Sequence, residues 1–143
     1  MKKNTELKIY IIAILALLTF VSCNDANTKK ILVKGKIIDS LTNQSISMAK
    51  VTVLCWYDAG WDKTDYESTD LVTKEDGSFE VKFEEGYKIT IASISKYHEY
   101  KIREIDSIDN AYIKVELKLK RNSLEKDISK INLRKIIVNE TSN

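Results

Sequence analysis

The amino-acid sequence predicts an all-β protein, a sandwich of seven antiparallel strands that follows an N-terminal export signal. Three observations support this prediction. Apolar and polar residues alternate with a period of two from Ile31 onwards, turn residues separate the alternating runs, and no regular alternation of strands with helices is visible. Such a pattern favours an antiparallel sandwich over a parallel sheet. The 121 residues after residue 22 suffice for one domain with a single core.

The first 22 residues have the order of parts that export signals show. Lysines near the start precede an uncharged segment, residues 9–21, and small Ser22 follows it. The uncharged segment has about 13 residues, whereas a helix that spans a bilayer needs roughly 20. We therefore predict a removed signal peptide, residues 1–22, rather than a permanent membrane span.

Cys23 stands where the apolar run ends, in the sequence Phe20-Val21-Ser22-Cys23. This arrangement resembles the lipobox of bacterial lipoproteins, in which the cysteine becomes the first mature residue and carries acyl chains such as palmitate. The resemblance implies lipidation of Cys23 and an anchored position in the cell envelope, with the outer membrane as the expected site. The alternative is an ordinary cleaved signal with an incidental cysteine. The polar residues 23–30 predict a flexible tether.

The charge of the mature part argues against a nucleic-acid partner. The whole chain has 23 basic and 21 acidic side chains, and the signal holds three lysines and one glutamate. Residues 23–143 therefore carry twenty of each, which gives a net charge near zero. A neutral domain lacks the basic surface that binding to DNA or RNA requires. We expect no nucleic-acid partner.

The first strands are predicted from two alternating runs. Residues 31–38 suggest a strand with a glycine bulge or a close approach at Gly35. Residues 50–57 form a β-branched and aromatic run that predicts a central strand. The polar and acidic residues 58–69 predict a long loop.

The dipeptide Asp76-Gly77 is the strongest turn signal in the chain. It lies between alternating runs at residues 70–73 and 78–83, so it predicts a β-hairpin. Three further strands are predicted from the same alternation, at residues 87–95, 97–105 and 111–119. The sandwich is expected to occupy residues 31–120.

The C-terminal extension, residues 121–143, breaks the alternation. Leu124, Ile128 and Ile131 fall at helical spacing behind a cap at Ser123 or Asn122, which predicts a short helix or turn. A last strand is predicted at residues 132–138.

Several short motifs in fixed order resemble one known domain family. These motifs are Val33-Lys34-Gly35-Lys36-Ile37-Ile38-Asp39, Ala49-Lys50-Val51-Thr52-Val53, Thr73-Lys74-Glu75-Asp76-Gly77-Ser78-Phe79 and Tyr87-Lys88-Ile89-Thr90-Ile91. The pattern is similar to the carboxypeptidase regulatory-like domain, which implies a transthyretin-like sandwich over residues 31–120. The segment 132–138 is similar to the strand that follows this domain in Bacteroidetes outer-membrane receptors. The resemblance further implies a non-catalytic module that scaffolds or mediates contacts.

No catalytic or metal-binding constellation is predicted. His98 is the only histidine, so a Ser-His-Asp arrangement and zinc or iron sites built on several histidines are not expected. His98 itself is interpreted as a partly exposed strand residue. We predict that the protein is not an enzyme and has no cofactor.

Three aromatic residues in the region 56–66 are the candidate ligand-binding residues. Trp56, Trp61 and Tyr66 could stack on sugar rings or anchor a protein partner, because Trp and Tyr dominate interface hot spots. The alternative is that Trp56 and Trp61 close the end of the core. Carboxylates in the same stretch could bind Ca²⁺, yet their spacing matches no calcium-loop template, which favours a solvated acidic loop.

Cys55 is interpreted as a small buried hydrophobe rather than a reactive thiol. It shares a predicted strand face with Val51 and Val53. Lipidation of Cys23 would leave Cys55 without a partner, whereas an unmodified Cys23 could pair with it.

The sequence thus predicts a membrane-anchored envelope lipoprotein that acts as an interaction or scaffold module. Its expected partners are the membrane, through the lipid on Cys23, and an envelope protein or glycan. A glycan-binding module that uses residues 56–66 is one alternative, and an inhibitor of an envelope enzyme is another.

Overall fold

The computed structural model describes residues 30–108 and 111–141. The predicted signal peptide, Cys23 and the tether up to residue 29 lie outside the described residues. The described part is a β-sandwich of seven strands in two sheets, which confirms the predicted class, and a C-terminal helix follows the sandwich.

The first sheet has three strands in the order β4-β1-β7. Its strands are β1 (Ile31–Asp39), β4 (Ser78–Phe83) and β7 (Tyr112–Leu119). β1 is antiparallel to β4 but parallel to β7, with Leu32 opposite Tyr112 and Asp39 opposite Leu119. The prediction of a wholly antiparallel sandwich was therefore wrong for this pair. β1 and β7 are the first and the last strand of the sandwich. No short turn joins them, so their pairing is not required to be antiparallel.

The second sheet has four antiparallel strands in the order β3-β2-β5-β6. Its strands are β2 (Lys50–Asp58), β3 (Thr64–Val72), β5 (Lys88–Ser95) and β6 (His98–Ile105). The loop predicted at residues 58–69 was wrong, because most of it forms β3, which pairs with β2 from Asp58–Thr64 to Lys50–Val72. β3 is an edge strand with mostly exposed side chains, so its sequence lacks the apolar alternation of a buried strand.

The Asp76-Gly77 turn forms, but it does not close a hairpin within one sheet. Lys74 and Gly77 close the turn, since the Gly77 amide donates to the Lys74 carbonyl at 2.9 Å. Gly77 has φ +74°, a backbone conformation that glycine adopts without strain. The strand before the turn belongs to the second sheet and the strand after it to the first. The turn therefore links the two layers, and the predicted hairpin was wrong.

The core fills the space between the two sheets. Its large buried side chains come from inward positions of both layers: Ile31, Val33, Ile37, Val51, Val53, Phe79, Phe83, Ile89, Ile91, Val115, Leu117 and Leu119. Gly35 lies opposite Phe79 in the register of β1 and β4, and the Phe79 ring covers it. The predicted close approach at Gly35 is confirmed, and the register of β1 with β4 continues past it without a bulge.

Gly35→Ala is expected to lower the free energy of unfolding by about 1–3 kcal/mol, because the new Cβ would overlap the Phe79 ring. Urea unfolding of the variant beside Lys36→Ala, an exposed position on the same strand, measures the effect. Adding Phe79→Ala should remove the overlap, so the double variant should be more stable than the sum of the single effects predicts. A Gly35→Ala midpoint equal to that of the parent would contradict the proposed packing.

The C-terminal extension forms a helix where a strand was predicted. The helix α1 (Leu133–Thr141) begins after Asn132, whose side-chain oxygen accepts from the Lys135 amide at 3.0 Å. Leu133 and Ile137 lie four residues apart on one face and are buried against the outer face of the second sheet. The predicted last strand at residues 132–138 was therefore wrong. The helical pattern predicted at 123–131 is reduced to one 3-10 turn, Ile128–Lys130, capped by Asp127.

Among residues 30–108 and 111–141, no helix has the length and apolar character that crossing a bilayer requires.

Candidate binding surface

Two of the three candidate aromatic residues lie side by side on the outer face of the second sheet. Trp56 on β2 and Tyr66 on β3 are register partners, and their ring centroids are 5.1 Å apart at an interplanar angle of 56°. The Trp56 indole N–H donates to the Thr90 hydroxyl at 3.0 Å. Both rings are half-buried and pack against the cluster that contains Leu54 and α1. They therefore close an apolar layer under the helix and leave only part of each ring accessible.

Trp61 lies apart from this pair, at the apex of the β2–β3 hairpin. The hairpin closes through the Ala59 amide, which donates to the Lys63 carbonyl at 2.8 Å. Gly60, Trp61 and Asp62 all have left-handed backbone angles, with φ values of 83°, 48° and 59°. The Trp61 side chain is 100% exposed. The structure thus presents one complete indole ring to the surroundings.

The three candidate residues do not form one shared surface. Trp56 and Tyr66 contact each other, whereas Trp61 lies beyond the last register pair of the hairpin, Asp58 with Thr64. The alternative that Trp61 closes the core was wrong, because none of residues 30–108 and 111–141 covers its ring. Trp56 does close an apolar cluster, but that cluster lies outside the second sheet rather than between the sheets.

The apex of the hairpin and the start of β1 lie at the same end of the sandwich. β1 begins with Ile31, whose side chain lies next to Gly86, and Gly86 also approaches the Trp56 carbonyl near the end of β2. β2 runs towards this end and continues into the hairpin. Lys30, the residue before β1, forms a 3.4 Å ion pair with Glu84 at the same end. Any segment that precedes residue 30 therefore reaches the sandwich at the end that carries Trp61.

At the opposite end, a buried polar network joins the two sheets. His98 Nε2 lies 3.1 Å from Asp39 Oδ2, and His98 Nδ1 lies 2.6 Å from the Ser95 hydroxyl. His98 and Ser95 are each 6% exposed and Asp39 is 2% exposed. The expectation of a partly exposed His98 was therefore wrong. The sequence carried no signal for this network, since Asp39 and His98 are 59 positions apart.

Asp39 is the centre of this network because it accepts four hydrogen bonds. Its Oδ1 accepts from the Leu41 and Thr42 amides at 2.8 and 3.0 Å, and its Oδ2 accepts from His98 and from Arg121 Nε at 3.1 and 3.0 Å. The Thr42 amide, followed by His98, holds the pKa of the Asp39 carboxyl well below its usual range. A carboxylate only accepts, so His98 Nε2 carries the hydrogen of their shared bond.

Ser95, His98 and Asp39 are hydrogen-bonded in series. The sequence did not predict this Ser-His-Asp arrangement. The Ser95 hydroxyl is oriented by the ring, as in a nucleophile with its base. However, Ser95 and His98 are buried, so a substrate carbonyl would have no access to the hydroxyl. The arrangement can fix the end of β1 to the β5–β6 turn and to Arg121 of the segment after β7.

Cys55 is buried between the sheets on the same face as Val51 and Val53, as predicted. Its thiol donates to the Glu85 carbonyl at 3.2 Å. Burial raises the pKa of the thiol to about 12, with Glu67 and Glu85 adding to the effect. The thiol therefore stays protonated and weakly nucleophilic at neutral pH.

The acidic residues near the hairpin are spread along the strands. Asp58 accepts from the Gly60 amide at 2.8 Å, whereas Asp70 accepts from the Thr52 hydroxyl at 2.6 Å and from Arg134 at 2.9 Å. Within the described residues, no group of three or more His, Cys, Asp or Glu side chains is arranged to hold a metal ion.

The chain is similar to known proteins in fold, but no family is assigned to it. No protein-family model matches the chain, and no curated protein matches it in sequence. In structure, the chain is similar to catechol 1,2-dioxygenase from Acinetobacter sp. ADP1 inhibited by bound mercury, with a TM-score of 0.52 and 12% identity. This match covers 70% of the chain and 55% of the dioxygenase, so the chain spans about half the length of that enzyme.

Pilin proteins are also among the similar structures. The pilus 2b backbone protein of group B streptococcus has a TM-score of 0.49 at 10% identity, over 64% of this chain and 41% of the pilin. BcpA, the major pilin subunit of Bacillus cereus, has a TM-score of 0.46 at 14% identity, over 65% and 30%. The likeness to the dioxygenase supports a β-sandwich fold and nothing finer, and the resemblance to the carboxypeptidase regulatory-like domain stays a prediction.

Proposed function

We propose that the protein is a lipid-anchored, non-catalytic interaction module of the bacterial cell envelope. The observation that carries this proposal is the place where the sandwich begins. Ile31, eight positions after Cys23, is already part of the core, while Lys30 is exposed at one end of the sandwich. A lipid on Cys23 would therefore hold that end of a folded domain close to a membrane and present its other surfaces to partners.

The reactive side chains of the described residues contribute to the packing of the fold, which supports a function in binding. Asp39, Ser95 and His98 are buried and satisfied by one another, so they serve the joining of the sheets. The Cys55 thiol is buried and protonated. These arrangements support a binding or scaffold module with a rigid body.

The anchor is tested first. The native chain is isolated from the membrane fraction of bacteria grown with labelled palmitate. It should carry the label and begin at Cys23. Each buried methylene of the acyl chains adds about 0.8 kcal/mol of membrane affinity, which keeps the chain in this fraction. Cys23→Ala should lose the label and leave the membrane. Cys55→Ala is the matched control and should keep both. An unlabelled, soluble native chain would refute the anchor.

A further inference from the structure

Trp61 has an exposure that the stability of the sandwich does not explain. Its ring is 100% exposed at the apex of the β2–β3 hairpin, while the other tryptophan, Trp56, is half-buried and hydrogen-bonded. Tryptophan is one of the largest apolar side chains, and it is found mostly buried or at interfaces. A fully exposed indole ring at the apex of a hairpin is therefore available to an occupant that covers it.

The place of the hairpin indicates what that occupant is. The apex lies at the end of the sandwich where β1 begins, which is the end nearest to Cys23 along the chain. From the level of Trp56 and Gly86, β2 continues for two more residues before the turn, so the apex extends at least about 7 Å beyond it. The hairpin thus projects in the direction from which the chain enters the sandwich.

The length of the chain before β1 permits contact of this apex with a membrane. Seven residues, 24–30, separate Cys23 from Ile31. Their greatest possible span is about 24 Å, which is longer than the two residues of about 7 Å by which β2 continues before the turn. A domain held by Cys23 can therefore approach the bilayer until Trp61 reaches the headgroups.

We propose that Trp61 inserts at the headgroup level of the membrane that holds the lipid on Cys23, as a second contact that sets the orientation of the sandwich. This inference rests on the proposed anchoring. Tryptophan prefers the membrane–water interface, where its ring meets apolar chains and its N–H meets polar groups. Holding a bilayer at this end leaves the outer face of the first sheet and α1 free for other partners.

The charges around the apex specify the kind of lipid surface. Among the described residues at this end, exposed acidic side chains outnumber exposed basic ones: Asp58, Asp62, Asp65, Glu84, Glu85 and Asp106 against Lys30 and Lys63. Anionic lipids would repel this set. We therefore infer a contact with zwitterionic headgroups that an increase in anionic lipid does not strengthen.

Tryptophan fluorescence can follow this contact residue by residue, because the chain has two tryptophans. Trp56→Phe leaves Trp61 as the reporter, and Trp61→Phe leaves Trp56 as the matched control. Each acylated chain is placed on phosphatidylcholine vesicles whose acyl chains are brominated near the headgroups. Bromine is expected to quench Trp61 emission roughly twofold and to leave Trp56 unchanged, since only an interfacial ring meets the bromine atoms. Adding phosphatidylglycerol should not increase the quenching.

A second tether separates this inference from the anchor itself. Chains from residue 23 with Cys23→Ser and an N-terminal polyhistidine tag are held on vesicles by a nickel-chelating lipid. Quenching of Trp61 on this tether, with no vesicle binding by the native chain, would refute the anchor and keep the Trp61 contact. Trp61 emission that is equal on brominated and plain vesicles would overturn the inference. Quenching of Trp61 by soluble envelope polysaccharide and not by lipid would overturn it in favour of a glycan site.

Discussion

Replacing Leu133 and Ile137 together by alanine is expected to release α1 from the second sheet and to lower the free energy of unfolding by about 4 kcal/mol or more. Both side chains are fully buried and pack against Leu54, Ala92 and Ile94. Each truncation removes apolar contacts and leaves a cavity under the helix. For a domain of marginal stability, this is a large part of the total.

Urea unfolding and binding of an apolar dye measure this effect. Release of α1 would expose the outer face of the second sheet, so dye binding should rise and Trp56 emission should shift to the red. Lys135→Ala, on the exposed side of the same helix, is the control and should change little. Parental stability in the double variant would mean that α1 does not pack on the sheet in solution.

The strands with one buried face could be predicted from the sequence, because burial leaves a period of two. β7 is the clearest example, since Val115, Leu117 and Leu119 face the core between exposed residues. The same rule fails for β3. As an edge strand it obtains its order from backbone hydrogen bonds to β2, and few of its side chains are buried. The polar sequence of β3 therefore predicted a loop instead of a strand.

The helix α1 shows how packing decides between two local preferences. Its residues Ile136, Ile137 and Val138 are β-branched and favour a strand. The spacing of Leu133 and Ile137 favours a helix, and an apolar patch on the second sheet receives that face. The nearest sheet residue of that patch in sequence, Ile102, lies 31 positions before Leu133, so the sequence of the extension alone could not identify the patch.

The candidate site was predicted in composition but not in arrangement. The sequence singled out Trp56, Trp61 and Tyr66, yet it could not separate the half-buried pair from the exposed apex because β3 was not recognised. The contacts of Asp39 with His98 and Arg121 were beyond prediction for another reason. They join residues 59 and 82 positions apart, and no local pattern reports such a contact.

Asp39→Ala is expected to lower the melting temperature by roughly 10–20 °C, because it leaves the buried His98 ring and three part-buried hydrogen-bond donors without an acceptor. The donors are the Leu41 and Thr42 amides, His98 Nε2 and Arg121 Nε. Asp62→Asn, which neutralises an exposed carboxylate at the hairpin apex, is the control and should change the melting temperature little. Circular dichroism during heating checks both variants. A small effect of Asp39→Ala would show that water replaces the carboxylate in this network.

The free energy of unfolding below neutral pH, compared between the parent and Asp39→Asn, tests whether ionised Asp39 stabilises the fold. The pKa of Asp39 is lower in the folded state than in the unfolded chain, where it is about 3.9. Between these two pKa values the unfolded state binds more protons, so the stability that Asp39 contributes is complete above that window and is lost as the pH falls. The stability difference between parent and Asp39→Asn should therefore be largest above about pH 5 and shrink towards pH 2. Asp76, Glu80 and Asp127 also have lowered pKa values, but they are present in both chains and cancel in the difference. A difference that stays constant over this range would mean that the network does not depend on the charge of Asp39.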